Sequence, residues 1–314
     1  MSHGKDETEF SKWAALRLEL EPRIKEARYS LYRIKSNPLA LTGVAIIAVF
    51  FLIAAFAPYL APPNPKLGDP RDPGIIPKTW KPEPEPPSSE FPFGTGPYGT
   101  DIYYGVIWGA RTSLRIAFTV VGVTAVIGIV LGSVAGYFGG KLENLIMRVT
   151  DMFLAVPPLL LAMGIASVLG RSIFNLVLIL IFVWWPRYAR LVRGEILSVK
   201  ERTFADSARA IGCSELQVLF LHVLPNAIFP VLVIATLDLG SVVLVAAGLS
   251  FLGLGAEPFT AEWGLIISEG RDWIMMGKWW ASFFAGAAIF FFVLGWNLLG
   301  DAFRDILDPR MRRV

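Results

Sequence analysis

The sequence has almost none of the residue types that build metal or redox centres. Its single cysteine, Cys213, excludes a disulfide framework within the chain, and it has no Cys or His neighbour at ligand spacing. The only two histidines, His3 and His222, lie far apart, and His222 reads as a packing or hydrogen-bonding residue at a helix end. No GxxxxGK[ST] loop occurs, because Gly139-Gly140-Lys141 lacks both the spacing and the following Ser or Thr. The chain is therefore expected to bind no cofactor and to hydrolyse no nucleotide. Net charge is small, with 29 basic residues against 26 acidic ones. Several windows of membrane-spanning length carry no charge at all.

What is abundant is apolar surface. Of the 314 residues 54% are hydrophobic, beyond the composition of an ordinary soluble domain. Windows of about 20 apolar residues mark six candidate spans, at 39–57, 114–138, 152–169, 172–185, 227–254 and 280–299. The fourth is the shortest, extending toward Tyr188. Placing both termini, 139–151, 186–226 and 300–314 on one side collects 20 Lys and Arg there, against eight opposite. The excess of basic charge predicts that both termini are cytoplasmic. The chain divides accordingly into an N-terminal amphipathic segment (1–37), a first transmembrane helix (38–57) and a Pro-rich extracytoplasmic loop (58–112). A transmembrane core (113–300) containing the cytoplasmic loop 186–226 and a cytoplasmic tail (301–314) complete it. Thirteen of the 22 prolines fall within 58–98, which reads as an extended external linker, with a docking surface as the alternative. Residues 10–36 mix apolar and basic side chains around Pro22, as an amphipathic helix on anionic lipid does.

Between the fourth and fifth spans lies a polar elbow, TFADSARAIGCSELQVLFLHVLPN at 203–226. Phe204, Ala208 and Ile211 are spaced as one face of a short helix. Gly212 suits a left-handed closing residue. Ser214, with Glu215 in the first turn and Gln217 three positions on, forms a capping box for a second helix. That helix has Leu216, Leu219, Phe220 and Val223 as its apolar face and Pro225 as its stop. Small residues (Ala205, Ser207, Ala208, Ala210) permit close approach of another backbone, with Asp206 and Arg209 as polar contacts. A helix pair lying on the bilayer fits the pattern equally well.

Compared with known families, this elbow resembles the cytoplasmic signature of ABC importer permeases, Glu-Ala-Ala-x3-Gly-x9-Ile-x-Leu-Pro. Asp206 stands for the Glu, Ser207 for the first Ala and His222 for the Ile, followed by Val223-Leu224-Pro225. HVLPN at 222–226, YGTDIYYGVIWGARTSL at 98–114, MRVTDMFLAVPPLLL at 147–161, LSFLGLG at 249–255, EWG at 262–264 and FVLGWNLLGDAFRDILDPR at 292–310 are similar to the C-type subunit of the peptide/nickel permease family. The resemblance implies an all-α polytopic membrane protein with six transmembrane helices and the type I ABC importer (MetI-like) fold, in the inner membrane of a prokaryotic cell. It implies a second homologous permease, two cytoplasmic ATPases carrying ATP and Mg, an extracytoplasmic solute-binding protein and a lipid bilayer as partners, with no nucleic acid. The elbow would then be a coupling helix, with Asp206, Ser207, Ala208, Arg209 and Gly212 as its contact zone. Leu224 and Pro225 would tie it to the fifth span. The implied solute is a peptide, with oligosaccharide or nickel as alternatives.

Within the spans, Gly128, Gly132 and Gly136 form a small-residue stripe, read as packing within the chain rather than between subunits. Pro157 and Pro158 are expected to break the third span, and Gly240, Gly248, Gly253 and Gly255 to loosen the fifth. Asp238 is an acid near the middle of a span, so it should face protein or water. It is read either as a structural carboxylate or as a pathway residue holding a cationic or hydroxyl-rich solute. The resemblance also puts Glu262 and Trp263 at an outer gate of the pathway, though an interfacial anchor explains Trp263, Trp273, Trp279 and Trp280 as well. A stand-alone ion-driven carrier or channel remains the reading of a different class, and a membrane scaffold a third. The carrier predicts several intramembrane charges and paired broken helices.

Overall fold

Asn37 opens the first helix. Its side-chain oxygen accepts from the backbone N–H groups of Leu39 (3.0 Å) and Ala40 (3.3 Å), with Pro38 at the position where no N–H is needed. Helix α1 (Pro38–Leu60) follows, in a computed structural model that describes residues 37–62 and 74–307. The expected N-terminal amphipathic helix lies outside the described residues. Helix α2 (Ile102–Phe138) starts on an Asp101 cap whose carboxylate accepts from the Tyr104 N–H at 3.1 Å, and it stops at Gly139 with φ +69°. It thus begins well before the expected boundary at 113.

The third span is where expectation and structure part. Pro157 and Pro158 do break it, but the result is two helices, α3 (Gly140–Leu154) and α4 (Pro158–Leu169), bent by 86°. Residues assigned to a loop at 139–151 are the first of these helices. Helix α5 (Ile173–Lys200) overturns another boundary. The fourth span does not end near Tyr188, since the helix runs through Pro186 and three arginines to Lys200. Among the described residues, five helices are long and apolar enough to cross a membrane, or six if the bent pair is one span.

Beyond α5 come α6 (Thr203–Ala210), α7 (Glu215–Gln217), a widened π turn (Val218–Val223) and α8 (Leu224–Ala227). Helix α9 (Phe229–Phe251) is unbroken, so Gly240 does not loosen it. Gly240 lets the helix lie against Val293 and Trp296, where a Cβ would come within 3.3–3.5 Å of them. Helix α10 (Trp263–Ile274) spans roughly 18 Å at 1.5 Å per residue, too short to cross a bilayer. Helix α11 (Trp280–Leu307) closes the bundle and carries helix into the expected tail.

The most extensive seam joins α2 to α5. It exists because Gly128, Gly132 and Gly136 have no side chains. A Cβ at these positions would lie 2.2 Å from Tyr188, 2.5 Å from the Ala189 carbonyl and 2.8 Å from the Arg193 carbonyl. The glycine stripe thus serves packing within the chain, as expected.

Over its described part the Pro-rich segment is extended and lies on the bundle, as expected, and it is also fastened there. Ile75 pairs with Thr260, and Lys78 with Thr100, in isolated antiparallel bridges. The Ile76 N–H donates to the Phe259 carbonyl at 2.7 Å, and the Ala261 N–H to the Gly74 carbonyl at 2.7 Å. Phe93 stacks on Phe284 with centroids 4.1 Å apart. Proline removes helix as an option, yet backbone N–H groups still find partners, Ile76 on the loop before α10 and Thr79, Ser88 and Thr95 on Gly99, Phe91 and Glu85 of the segment itself. The segment is a strap fastened across that end of the bundle.

Candidate functional site

The elbow is a stiff corner. Gly212 takes φ +92°, a conformation few side chains accept, and lets Cys213 N–H return to the Ala208 carbonyl at 3.2 Å. Ser214 then caps the next turn. Its N–H donates to the Gln217 side chain at 2.9 Å while its hydroxyl accepts from the Gln217 N–H at 3.4 Å. The capping box is as read from the sequence, but the stop at Pro225 is not. The chain keeps turning, because the π turn carries the Leu224 N–H to the carbonyl five residues back at Leu219. In that wider register a proline lacking an N–H is tolerated at the start of α8.

Burial also revises the expected faces. Ala205 and Ala208 are buried against the π turn, together with Val218, Leu219 and Val223. Ala208 therefore packs the corner and is not an outward contact. Ile211 points away at 81% exposure, contrary to its expected place on the packed face, and Leu216 and Phe220 are exposed as well. What the elbow presents outward is Asp206, Ser207, Ile211, Leu216 and Leu221. Leu224 and Pro225 open α8, the short helix that precedes α9.

Arg209 locks the corner to the bundle. It pairs with Asp206 at 2.7 Å, lies 3.8 Å from Glu215 and stands over the Tyr137 ring at 5.9 Å. The Tyr137 hydroxyl, at the end of α2, donates to Glu215. Lys200 donates to the Gly136 carbonyl at 2.9 Å, a cation on the negative end of α2. Above it, α5 carries a ladder of arginines. Arg193 donates to Glu143 at 2.8 Å, Arg190 pairs with Asp151, and Arg187 donates to Asp238 at 2.6 Å. Asp238 is thus a paired carboxylate, buried in the bundle, and the charge exposed beside it is positive. The sequence reading missed this ladder, although arginines at i, i+3 and i+6 after Pro186 carried the signal.

At the far end, Glu262 and Trp263 are both buried, so neither lines an open passage within this chain. Glu262 caps α10, accepting from Gly264 N–H at 2.9 Å and Leu265 N–H at 2.8 Å. Burial pushes its carboxyl above the ordinary range, and these backbone donors act in the opposite direction. Trp263 is no interfacial anchor. Its indole donates to the Val106 carbonyl at 3.0 Å and packs edge-on to Phe50 and Phe292.

Comparison with known families matches residues 128–313 to the binding-protein-dependent transport system inner membrane component. Residues 27–77 match the N-terminal transmembrane domain of oligopeptide transport permease C. A probable D,D-dipeptide transport system permease protein of Escherichia coli is 37% identical over 95% of this chain and 96% of its own length. A dipeptide transport system permease protein of Alkalihalophilus pseudofirmus is 39% identical over 91% and 90%. A glutathione transport system permease protein of Escherichia coli is 38% identical over 89% of each chain.

Proposed function

The chain belongs to the binding-protein-dependent inner-membrane permeases of ABC importers, and on that footing we propose that it forms half of a translocation pathway for short peptides. It is a transport subunit and not an enzyme. ATP hydrolysis belongs to partner subunits. The proposed assembly has a second, homologous permease beside it, two ATPases beneath the elbow and a solute-binding protein over the strap end. The elbow and both termini then face the cytoplasm. Short peptides fit the names of the relatives, two of which are dipeptide permeases and one a glutathione permease.

The observation that carries the reading is the elbow itself. Exposed apolar side chains (Ile211, Leu216, Leu221) stand on a corner whose own core is packed and whose base is tied to α2 by Arg209, Tyr137 and Glu215. Apolar groups at a polar corner are stable in water only at a cost, which a partner's groove removes. Force applied there passes into α2 and α9 without bending the corner. The test is co-purification from a co-expressing membrane. Ile211→Asp with Leu216→Asp should reduce recovered ATPase at least about tenfold, with an unchanged thermal midpoint. Full ATPase recovery with normal uptake would sink the placement.

A further inference from the structure

We propose that Arg187 is a solute-binding residue that receives a carboxylate as the solute passes through the membrane; this rests on the peptide-permease reading above. Arg187 stands 14 residues into α5, roughly 21 Å along the helix axis, and so well inside the span. Its side chain is 51% exposed in this chain, whereas that of its partner Asp238 is 1% exposed. The buried carboxylate holds one guanidinium nitrogen at 2.6 Å, while about half of the arginine side chain stays exposed. A guanidinium fixed in this way is a preorganised receptor for a second carboxylate, since its planar donors match carboxylate geometry two at a time.

Its place in the span sets this group against water or protein and not lipid, because a half-exposed arginine there is too costly to leave in hydrocarbon. The neighbouring acids, on α3, are already engaged, Asp151 by Arg190 and Glu143 by Arg193. The sign of the charge follows from the pairing. The carboxylate of Asp238 is buried behind Arg187, so what is offered outward is a cation, and the group of a peptide that it selects is the terminal carboxylate.

The test uses the full complex in nanodiscs and the double variant R187Q/D238N, which removes both charges and so leaves no buried orphan. Binding of a dipeptide and of its C-terminal amide is measured without the solute-binding protein. The wild-type complex should prefer the free acid at least about tenfold, and the double variant should bind acid and amide alike. ATP-driven uptake of the dipeptide should fall by a similar factor in the variant and be partly retained in R187K. Three results would overturn the proposal: no acid preference in the wild type, the same preference in the double variant, or loss of the second permease from the variant complex. The last would assign the carboxylate to that subunit. If the wild-type complex with its binding protein takes up no dipeptide at all, the peptide-permease reading itself fails. Uptake that is normal in both wild type and variant removes only Arg187.

Discussion

The indole of Trp263 lies over Gly109 so closely that a Cβ there would come 2.6 Å from the ring. This contact docks α10 onto α2, with the Trp263 N–H on the Val106 carbonyl. Gly109→Ala must displace either the ring or the helix, a strain of about 1–3 kcal/mol. A lowered thermal midpoint in detergent is expected, partly restored by Gly109→Ala with Trp263→Leu. Additive losses in the pair would show that the two residues do not share this contact.

A second expectation concerns the stiffness of the elbow. Ser214→Ala removes one half of the capping box and should cost about 1 kcal/mol. Gly212→Val forces a branched side chain to φ +92° and should cost more. Hydrogen exchange over 203–227 should quicken in both variants, with the larger change in Gly212→Val. Unaltered protection would mean that packing alone holds the corner.

The ladder on α5 is not uniform. Arg193–Glu143 is partly sheltered, with side-chain exposures of 38% and 19%, while Arg190–Asp151 is open at 54% and 62%. Screening by solvent weakens the open pair, so double-mutant cycles on thermal stability should give it a coupling of at most about 0.5 kcal/mol. The sheltered pair should give about 1 kcal/mol or more. Equal couplings would contradict the difference in burial.

The strap can be tested by cross-linking. Ile75 and Thr260 face each other in an antiparallel bridge, a spacing that suits a disulfide. In a Cys213→Ser background, Ile75→Cys with Thr260→Cys should oxidise readily, read as a shift on a non-reducing gel. A pair that stays reduced under oxidant would show that the strap leaves the loop before α10.

Acid should loosen the same strap. Glu83 accepts from Lys278 at 2.7 Å, and this hydrogen bond, with the attraction of the ammonium, lowers its carboxyl below the ordinary value. A depressed acid contributes stability above its unfolded pKa and loses it as pH falls through the folded one. The effect lies below the usual carboxylate range and is small, because Glu83 is exposed. Glu83→Gln should flatten it, as measured by proteolysis of the strap between neutral and acid pH.

The helices were legible in the sequence wherever one signal acted alone. The long apolar runs of α1 and α9 gave those spans to within a few residues, and Ser214 with Gln217 gave the cap. Legibility failed where a distant partner cancelled a local signal. Arg187, Arg190 and Arg193 read as a loop because charge opposes insertion, yet Asp238, Asp151 and Glu143 neutralise them from other helices. Pro225 read as a stop because an α-helix excludes it, and the π turn removes that conflict. Ile211 matched a helical face by spacing, but Gly212 ends the turn before that face can pack.

The π turn at Val218–Val223 also sets where the elbow points. One extra residue inside a helix rotates everything before it by about 100° relative to everything after it. Deleting a single residue from this turn would restore ordinary winding and swing Leu216 and its neighbours a quarter-circle round the axis of α9. The span would survive such a deletion while its handle aimed elsewhere, so the direction of engagement rests on one inserted amino acid.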